Sequence, residues 1–362
     1  MGTVSRCHRR QCDGGKASSV PPGMAARRAL PERFADAADL TGAGKRVGPW
    51  PLPQVLSRSV ERREEGRAEK RRGALLHDTR QILCMQNEQG GAMKAAVVQF
   101  RPTFGDVPGN AARILELVTE ADAELFVFPE LALTGYLFES TEEALALAQA
   151  PDDRVFDPIV RAAREKPAAV VLGFAERSPS GVYNSSMLVA PDGSRTTYRK
   201  IQLFWGEKKI FLPGDRPPET VEISGVRLGM MICFDWIFPE VARSLALQGA
   251  DILCHPSNLV LPYCQAAMVT RCIENRVFAI TANRIGTEER AGQSLTFTGL
   301  SEIVAPNGEI LARATADREE VLVVEIDPLA ARDKMATPTN DVLGDRRPEL
   351  YTVGVMPGAA DD

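Results

Sequence analysis

From Met93 onward, short apolar runs alternate with helical stretches, and this alternation constrains the fold more than any other feature of the chain. Residues 94–100 predict a first core strand. A helix over 108–121 leads to the run Leu125-Phe126-Val127-Phe128-Pro129, which reads as a buried strand closed by proline. Helical stretches around 141–150 and 157–166 precede a strand over 168–174. Segments 183–190 and 194–200, joined by Pro191-Asp192-Gly193, read as a hairpin. Further on come a helix over 239–248, a strand over 251–255, a helix over 262–275 and a strand over 277–283. Strand signals at 299–305, 309–313 and 321–326 follow, the first two joined by the turn Pro306-Asn307-Gly308. Such an order predicts an α/β fold with a mixed sheet or two stacked sheets. No internal repeat is present.

Residues 1–92 differ in character. Arg-rich and Pro/Gly-rich pieces alternate there without sustained periodicity, apart from a short helical signal around 60–76. This segment reads as a basic, disordered leader or as an upstream mis-called start. Glu88-Gln89-Gly90-Gly91 lies just before Met93, where such codons can hold a purine-rich ribosome-binding sequence. N-terminal sequencing that finds residues 1–92 in the native protein would sink the second reading. A transit peptide is the rival, weakened by the ten acidic residues. The domain boundaries expected are therefore 1–92, a folded domain over 93–351, and a tail over 352–362.

Charge follows the same division. Residues 1–92 hold 17 Lys and Arg against 10 Asp and Glu, and residues 93–362 hold 26 against 38. An acidic body argues against nucleic acid or anionic membrane as the main partner. No apolar run is long enough to span a membrane. There is no secretory core either, and Arg6 stands where a myristoylation signal wants Ser or Thr. Seven cysteines without a C-x-x-C pair fit a reducing, cytoplasmic setting. Of three histidines, His8 and His77 lie in the leader, so only His255 serves the body. A multi-histidine metal site is excluded there, and a Ser-His-Asp or Cys-His pair would rest on His255 alone.

Four residues stand at element ends where chemistry could use them. Cys233 ends the apolar run Leu228-Gly229-Met230-Met231-Ile232, and a proline-started helix follows at Pro239. A cysteine at such a turn faces free N–H groups, a setting expected to favour the thiolate and able to hold an oxyanion. Glu130 follows its strand directly, and desolvation there raises a carboxyl pKa toward the range of a general base. Lys200 ends Tyr198-Arg199-Lys200, and Glu207 lies in Trp205-Gly206-Glu207-Lys208-Lys209. Taken singly, each has an ordinary reading: a core thiol, a strand-end carboxylate, a solvated lysine, a surface ion pair. His255 reads as structural or pocket-lining.

Together these segments resemble the nitrilase superfamily of carbon–nitrogen hydrolases, over 93–351. The family's base Glu lies in a Pro-Glu context, as in Phe128-Pro129-Glu130. Its Lys context is matched by Arg199-Lys200-Ile201-Gln202-Leu203-Phe204, and its Cys context by Ile232-Cys233-Phe234-Asp235 and Phe238-Pro239-Glu240. Its additional Glu precedes a Phe-x-Pro-Gly turn, the place held by Glu207 before Phe211-Leu212-Pro213-Gly214. All four motifs occur in family order. Within the superfamily the chain most resembles nitrilase-like amidases, through Phe234-Asp235-Trp236 and the tail Asp341–Arg347 sequence DVLGDRR.

The resemblance implies a four-layer αββα sandwich that forms a homodimer or higher homo-oligomer, with residues 329–351 as an arm crossing to the partner. It implies hydrolysis of a small amide through a thioester on Cys233, with Glu130 as base and Glu207 orienting the amide nitrogen and Lys200. Lys200 and the backbone N–H of Phe234 would hold the oxyanion. No cofactor or metal is implied. Tyr136, Phe138, Trp205, Trp236 and Asn258 are candidate pocket residues, suited to a small, largely apolar acyl group. A nitrilase is an alternative, but nitrilases of the family usually carry Cys-Trp-Glu where this chain has Cys233-Phe234-Asp235. N-carbamoyl compounds are a further alternative. A non-catalytic binding protein would have no need for all four residues, and a nucleotide-binding protein would need a glycine-rich fingerprint that is missing.

Overall fold

The computed structural model describes residues 91–290, 292–352 and 354. The expectations for residues 1–90 and for most of the tail fall outside that set. In chain order the strands are β1 (Met93–Gln99), β2 (Leu125–Val127), β3 (Ala169–Ser178), β4 (Gly181–Val189), β5 (Arg195–Arg199), β6 (Thr220–Ile223) and β7 (Val226–Met230). They continue with β8 (Ile252–Pro256), β9 (Phe278–Ala282), β10 (Thr287–Arg290), β11 (Gln293–Thr296), β12 (Glu302–Val304), β13 (Ile310–Arg313) and β14 (Glu320–Ile326). The helices are α1 (Val107–Glu120), α2 (Thr141–Leu147), α3 (Asp157–Glu165), α4 (Pro239–Leu247) and α5 (Cys264–Asn275).

Local chemistry explains several boundaries. Pro108 opens α1, and the Asp106 carboxylate accepts the Gly109 N–H at 3.0 Å, satisfying one of the free donors of the first turn. Ser140 caps α2 in the same way, accepting from the Glu143 N–H at 3.2 Å. At the far end of α5, Arg276 takes the left-handed conformation, and the Lys334 ammonium donates to the Asn275 and Arg276 carbonyls.

Two six-stranded sheets result, in the orders β14-β1-β2-β3-β4-β5 and β13-β12-β9-β8-β7-β6. In each, three central strands run parallel (β1-β2-β3 and β7-β8-β9) and the flanking pairings are antiparallel. The period-2 alternation of a strand sends successive side chains to opposite faces. Thus Ala95 and Val97 share a core with Val127, Val171, Met230 and Ile252, between the sheets. Their neighbours Ala96 and Val98 instead meet Ile114 and Val118 of α1 and Ile159 of α3. On the second sheet, α4 and α5 pack through Leu245, Met268 and Cys272. The layers are therefore helix, sheet, sheet, helix, which is the αββα sandwich the resemblance implied. Each fully buried Leu, Ile or Phe in these layers contributes about 1.5–3 kcal/mol.

Some elements escaped the sequence reading. β6 and the hairpin β10-β11 were not anticipated, because their faces are partly exposed and carry little apolar alternation. β3 runs four residues past its predicted end at Phe174, since its extension pairs with β4 as far as Ser178 opposite Gly181. Within the described residues, no helix is long and apolar enough to cross a membrane.

Candidate active site

Glu130 lies three residues beyond β2, in a segment that continues alongside β3. Phe128 N–H donates to the Val171 carbonyl, Gly173 N–H to Pro129, and Ala132 N–H to Gly173. This close approach requires Gly173, because a Cβ there would stand 2.5 Å from the Glu130 Cα and 2.4 Å from the Leu131 nitrogen. The Glu130 side chain is fully buried. Its Oε1 accepts from the Lys200 ammonium at 2.6 Å and from the Asn184 amide at 2.7 Å. Its Oε2 has no hydrogen-bond partner among the described residues. Burial pushes the Glu130 pKa up; the Lys200 charge pulls it down, and the Glu207 charge adds to the rise.

Lys200 follows β5 directly and is also buried. Its backbone is pinned by Lys200 N–H to the Asn184 carbonyl and by Gly214 N–H to the Lys200 carbonyl, both at 2.8 Å. Burial alone would depress the ammonium, but the charges of Glu130 and Glu207 outweigh it and raise its pKa. Glu207 Oε1 accepts from Lys200 at 2.8 Å and from the Tyr136 hydroxyl at 2.7 Å, while Oε2 accepts from the Phe204 N–H.

Cys233 lies three residues beyond β7 and opens a short 3-10 turn, Cys233–Ile237. Its φ of +41° is in the left-handed region that a residue with a Cβ avoids. The turn is held by Asp235, whose carboxylate accepts from Ile232 N–H at 2.9 Å, Gln202 N–H at 3.0 Å and the Tyr198 hydroxyl at 2.7 Å. These bonds tie the cysteine turn to the residues on either side of Lys200. Burial pushes Asp235 up to about 6.

The thiol itself departs from expectation. Burial, and then the negative charge of Glu130, push the Cys233 pKa well up, while Lys200 and the Asn258 backbone N–H pull the other way. The shift runs toward the thiol, opposite to the thiolate expected from a helix end. The cause is burial among segments brought together from far along the chain, with the Glu130 charge adding to it. The turn at Cys233 is five residues long, and α4 starts only six residues later.

Residues 94–334 match the family described as Carbon-nitrogen hydrolase. The chain belongs to that family. It is 42% identical over 263 residues to a nitrilase of Pyrococcus abyssi (strain GE5 / Orsay), a match covering 72% of this chain and 99% of the relative. It is 36% identical over 261 residues to an (R)-stereoselective amidase of Pseudomonas sp, covering 70% and 92%. Among solved structures it is similar to an amidase from Nesterenkonia sp. AN1, at 26% identity and a TM-score of 0.60, covering 72% of this chain and 96% of the other. That amidase structure shows covalent addition of the acetamide moiety of fluoroacetamide at its active-site cysteine.

In this carbon–nitrogen hydrolase the five candidate pocket residues divide between two cavities. Tyr136, Phe138 and Trp205 line an open cleft of about 530 Å³, with Glu139, Glu142 and Glu207. Trp236 and Asn258 line a much narrower recess with Cys233, Phe204, Phe234 and Leu259. Trp205 is 60% exposed and stands at the cleft mouth. Asn258 bridges the two halves, since its amide donates to the Glu130 carbonyl at 2.9 Å.

Several supporting residues of the hydrolase were missed. Asn184 and Gly173 lie inside strand patterns and carry no local motif. The same holds for the buried pair Arg284–Glu288, where Glu288 also accepts the Tyr136 and Leu137 N–H groups. Asn184 reaches Glu130, and Glu288 reaches Tyr136 and Leu137, across long sequence separations, so only a pairing of distant segments could have exposed those contacts.

Proposed function

We propose that the protein hydrolyses small carboxamides to the acid and ammonia through a thioester on Cys233. The observation that carries this reading is the buried Glu130, with Oε1 held by Lys200 and Asn184 and Oε2 unpartnered. A carboxylate with a raised pKa, whose charge acts on the thiol, is suited to take the thiol proton near neutral pH. As the sulfur attacks the carbonyl carbon, negative charge moves to the carbonyl oxygen, where Lys200 and the Phe234 N–H stabilise it. The protonated Glu130 returns its proton to the nitrogen, the C–N bond breaks, and ammonia leaves a thioester. Glu130 then deprotonates a water that attacks the thioester, and the thiol is restored. Glu207 holds Lys200 and orients the amide nitrogen.

The narrow apolar recess beside Cys233 favours a small, uncharged acyl group. Asp235, where nitrilases of the family usually have Glu, favours amides over nitriles. A second reading is a nitrilase, because the Pyrococcus abyssi relative bears that name. In both readings residues 93–351 carry the activity, as a homodimer or larger assembly. The test is ammonia release from a panel of small amides, nitriles and carbamoyl compounds, with intact-mass detection of the acyl-enzyme. Turnover of amides with an adduct on Cys233 is expected. Release from nitriles alone favours the second reading, and release from none of them would end both.

A further inference from the structure

His255 is fully buried in β8 and has no step in the proposed chemistry, yet it bonds to the backbone of the nucleophile. Its Nε2 lies 2.9 Å from the Cys233 carbonyl oxygen. A carbonyl oxygen only accepts, so Nε2 carries the proton. Burial holds the ring pKa down to about 4, which leaves it neutral near pH 7 and makes Nδ1 an acceptor. Thr281 Oγ1, 3.2 Å from Nδ1, is then the donor. Ser257 Oγ, 3.1 Å from Nε2, turns its own proton to the His255 carbonyl at 3.3 Å. One tautomer satisfies all four contacts.

The carbonyl that His255 holds belongs to the same peptide unit as the Phe234 N–H. That peptide is trans, as the described chain has no cis bond, so its C=O and N–H point in opposite directions in one plane. Fixing the oxygen therefore fixes the direction of the N–H. A hydrogen bond accepted at the oxygen also polarises the amide and strengthens its N–H as a donor. The tie is needed here because Cys233 sits at φ +41°, where a residue with a side chain persists only when its surroundings over-determine it.

We propose that His255 is a positioning residue for the oxyanion donor: by holding the Cys233 carbonyl, it aims the Phe234 N–H at the oxygen of the tetrahedral intermediate. The proposal rests on the amidase reading above. It separates two reactions of one thiol. Amide hydrolysis develops an oxyanion, whereas alkylation by iodoacetamide displaces iodide at a saturated carbon and develops none.

The experiment compares both rates in the full-length protein and in His255→Phe, His255→Gln and Thr281→Val. In His255→Phe, kcat should fall roughly 100-fold, the scale of losing an oxyanion donor, with KM little changed and Cys233 alkylation within about 3-fold. His255→Gln, which keeps an N–H near the Nε2 position, should recover part of the loss. Thr281→Val frees the tautomer and should lower kcat several-fold with alkylation unchanged; it serves if His255→Phe does not fold. Parallel losses of hydrolysis and alkylation, or no loss of hydrolysis, would overturn the proposal. Absence of turnover in the parent protein would instead sink the proposed function, and this inference with it.

Discussion

Glu130 and Cys233 each stand three residues past the end of a central parallel strand, β2 in one sheet and β7 in the other, and the chain holds them by different means. Glu130 is held through its side chain as well as its backbone: besides the β3 pairing and the Asn258 bond to its carbonyl, Lys200 and Asn184 grip one carboxylate oxygen and leave the other unpartnered. Cys233 is held through its backbone, by the left-handed φ, by Asp235 on the preceding N–H and by His255 on the carbonyl. The difference matches what the proposed mechanism asks of each atom. A base has to be charged yet able to accept a proton, so its environment tunes a pKa. A nucleophile has to be aimed, so its environment fixes a direction and leaves the sulfur free.

The largest effect that could break this comparison comes from the sulfur. Cys233→Ala should reduce hydrolysis by roughly 10⁴-fold or more, as for other covalent nucleophiles; full ammonia release from the variant would refute the thioester route. Glu130→Gln comes next. It keeps an acceptor for Lys200 but removes the base, and kcat/KM should drop about 10³-fold. Iodoacetamide labelling of Cys233 should slow as well, because the thiol then loses its proton acceptor; labelling at the parent rate would show that Glu130 does not activate it.

Backbone substitutions sharpen the same contrast. Gly173→Ala drives a Cβ into the main chain at Glu130, which cannot yield as a side-chain tip could, and should cost about 1–3 kcal/mol. Gly229→Ala in β7 meets only the side chain of Leu245 at 3.0 Å, so it should cost less. Thermal or urea unfolding of the two variants gives the order directly, and a reversed order would contradict the close packing of β3 on the base segment.

The smallest effect is in pH dependence. Glu130 must be ionised to act as base, and its pKa is raised by burial. Activity should therefore fall as pH drops through a value above the ordinary carboxylate range, and be fully present above it. Asn184→Ala removes a bond to the ionised carboxylate, so the acid limb of kcat/KM should move to higher pH. A limb that stays in place in this variant would mean that another group governs it.

Much of the fold was legible because strand and helix periods leave clear marks where one face is buried. β1, β2, β3, β8 and β9 are apolar runs buried on both sides, and α1, α3 and α4 show one apolar face. β6, β10 and β11 left no such mark, since they lie at edges where side chains face water. The four motif residues stood out for a similar reason: each lies in a short, distinctive context, Glu130, Lys200 and Cys233 just past a strand and Glu207 inside the 3-10 turn Trp205–Lys209. Asn184, Gly173 and Glu288 have no local signature, because each meets its partner (Glu130, the Glu130 main chain, and the Tyr136 and Leu137 N–H groups) across a long sequence separation.

By itself, the amino-acid sequence determined the alternating α/β pattern and the shortage of histidine in the body, and it singled out the four side chains of the proposed site. Only the tertiary structure decided their electrostatic state. Cys233 reads locally as a thiolate at a helix end, yet burial, with the Glu130 charge adding to it, pushes its pKa well up. Local chain chemistry sets which groups are present, whereas desolvation and charge coupling depend on what distant segments place around them.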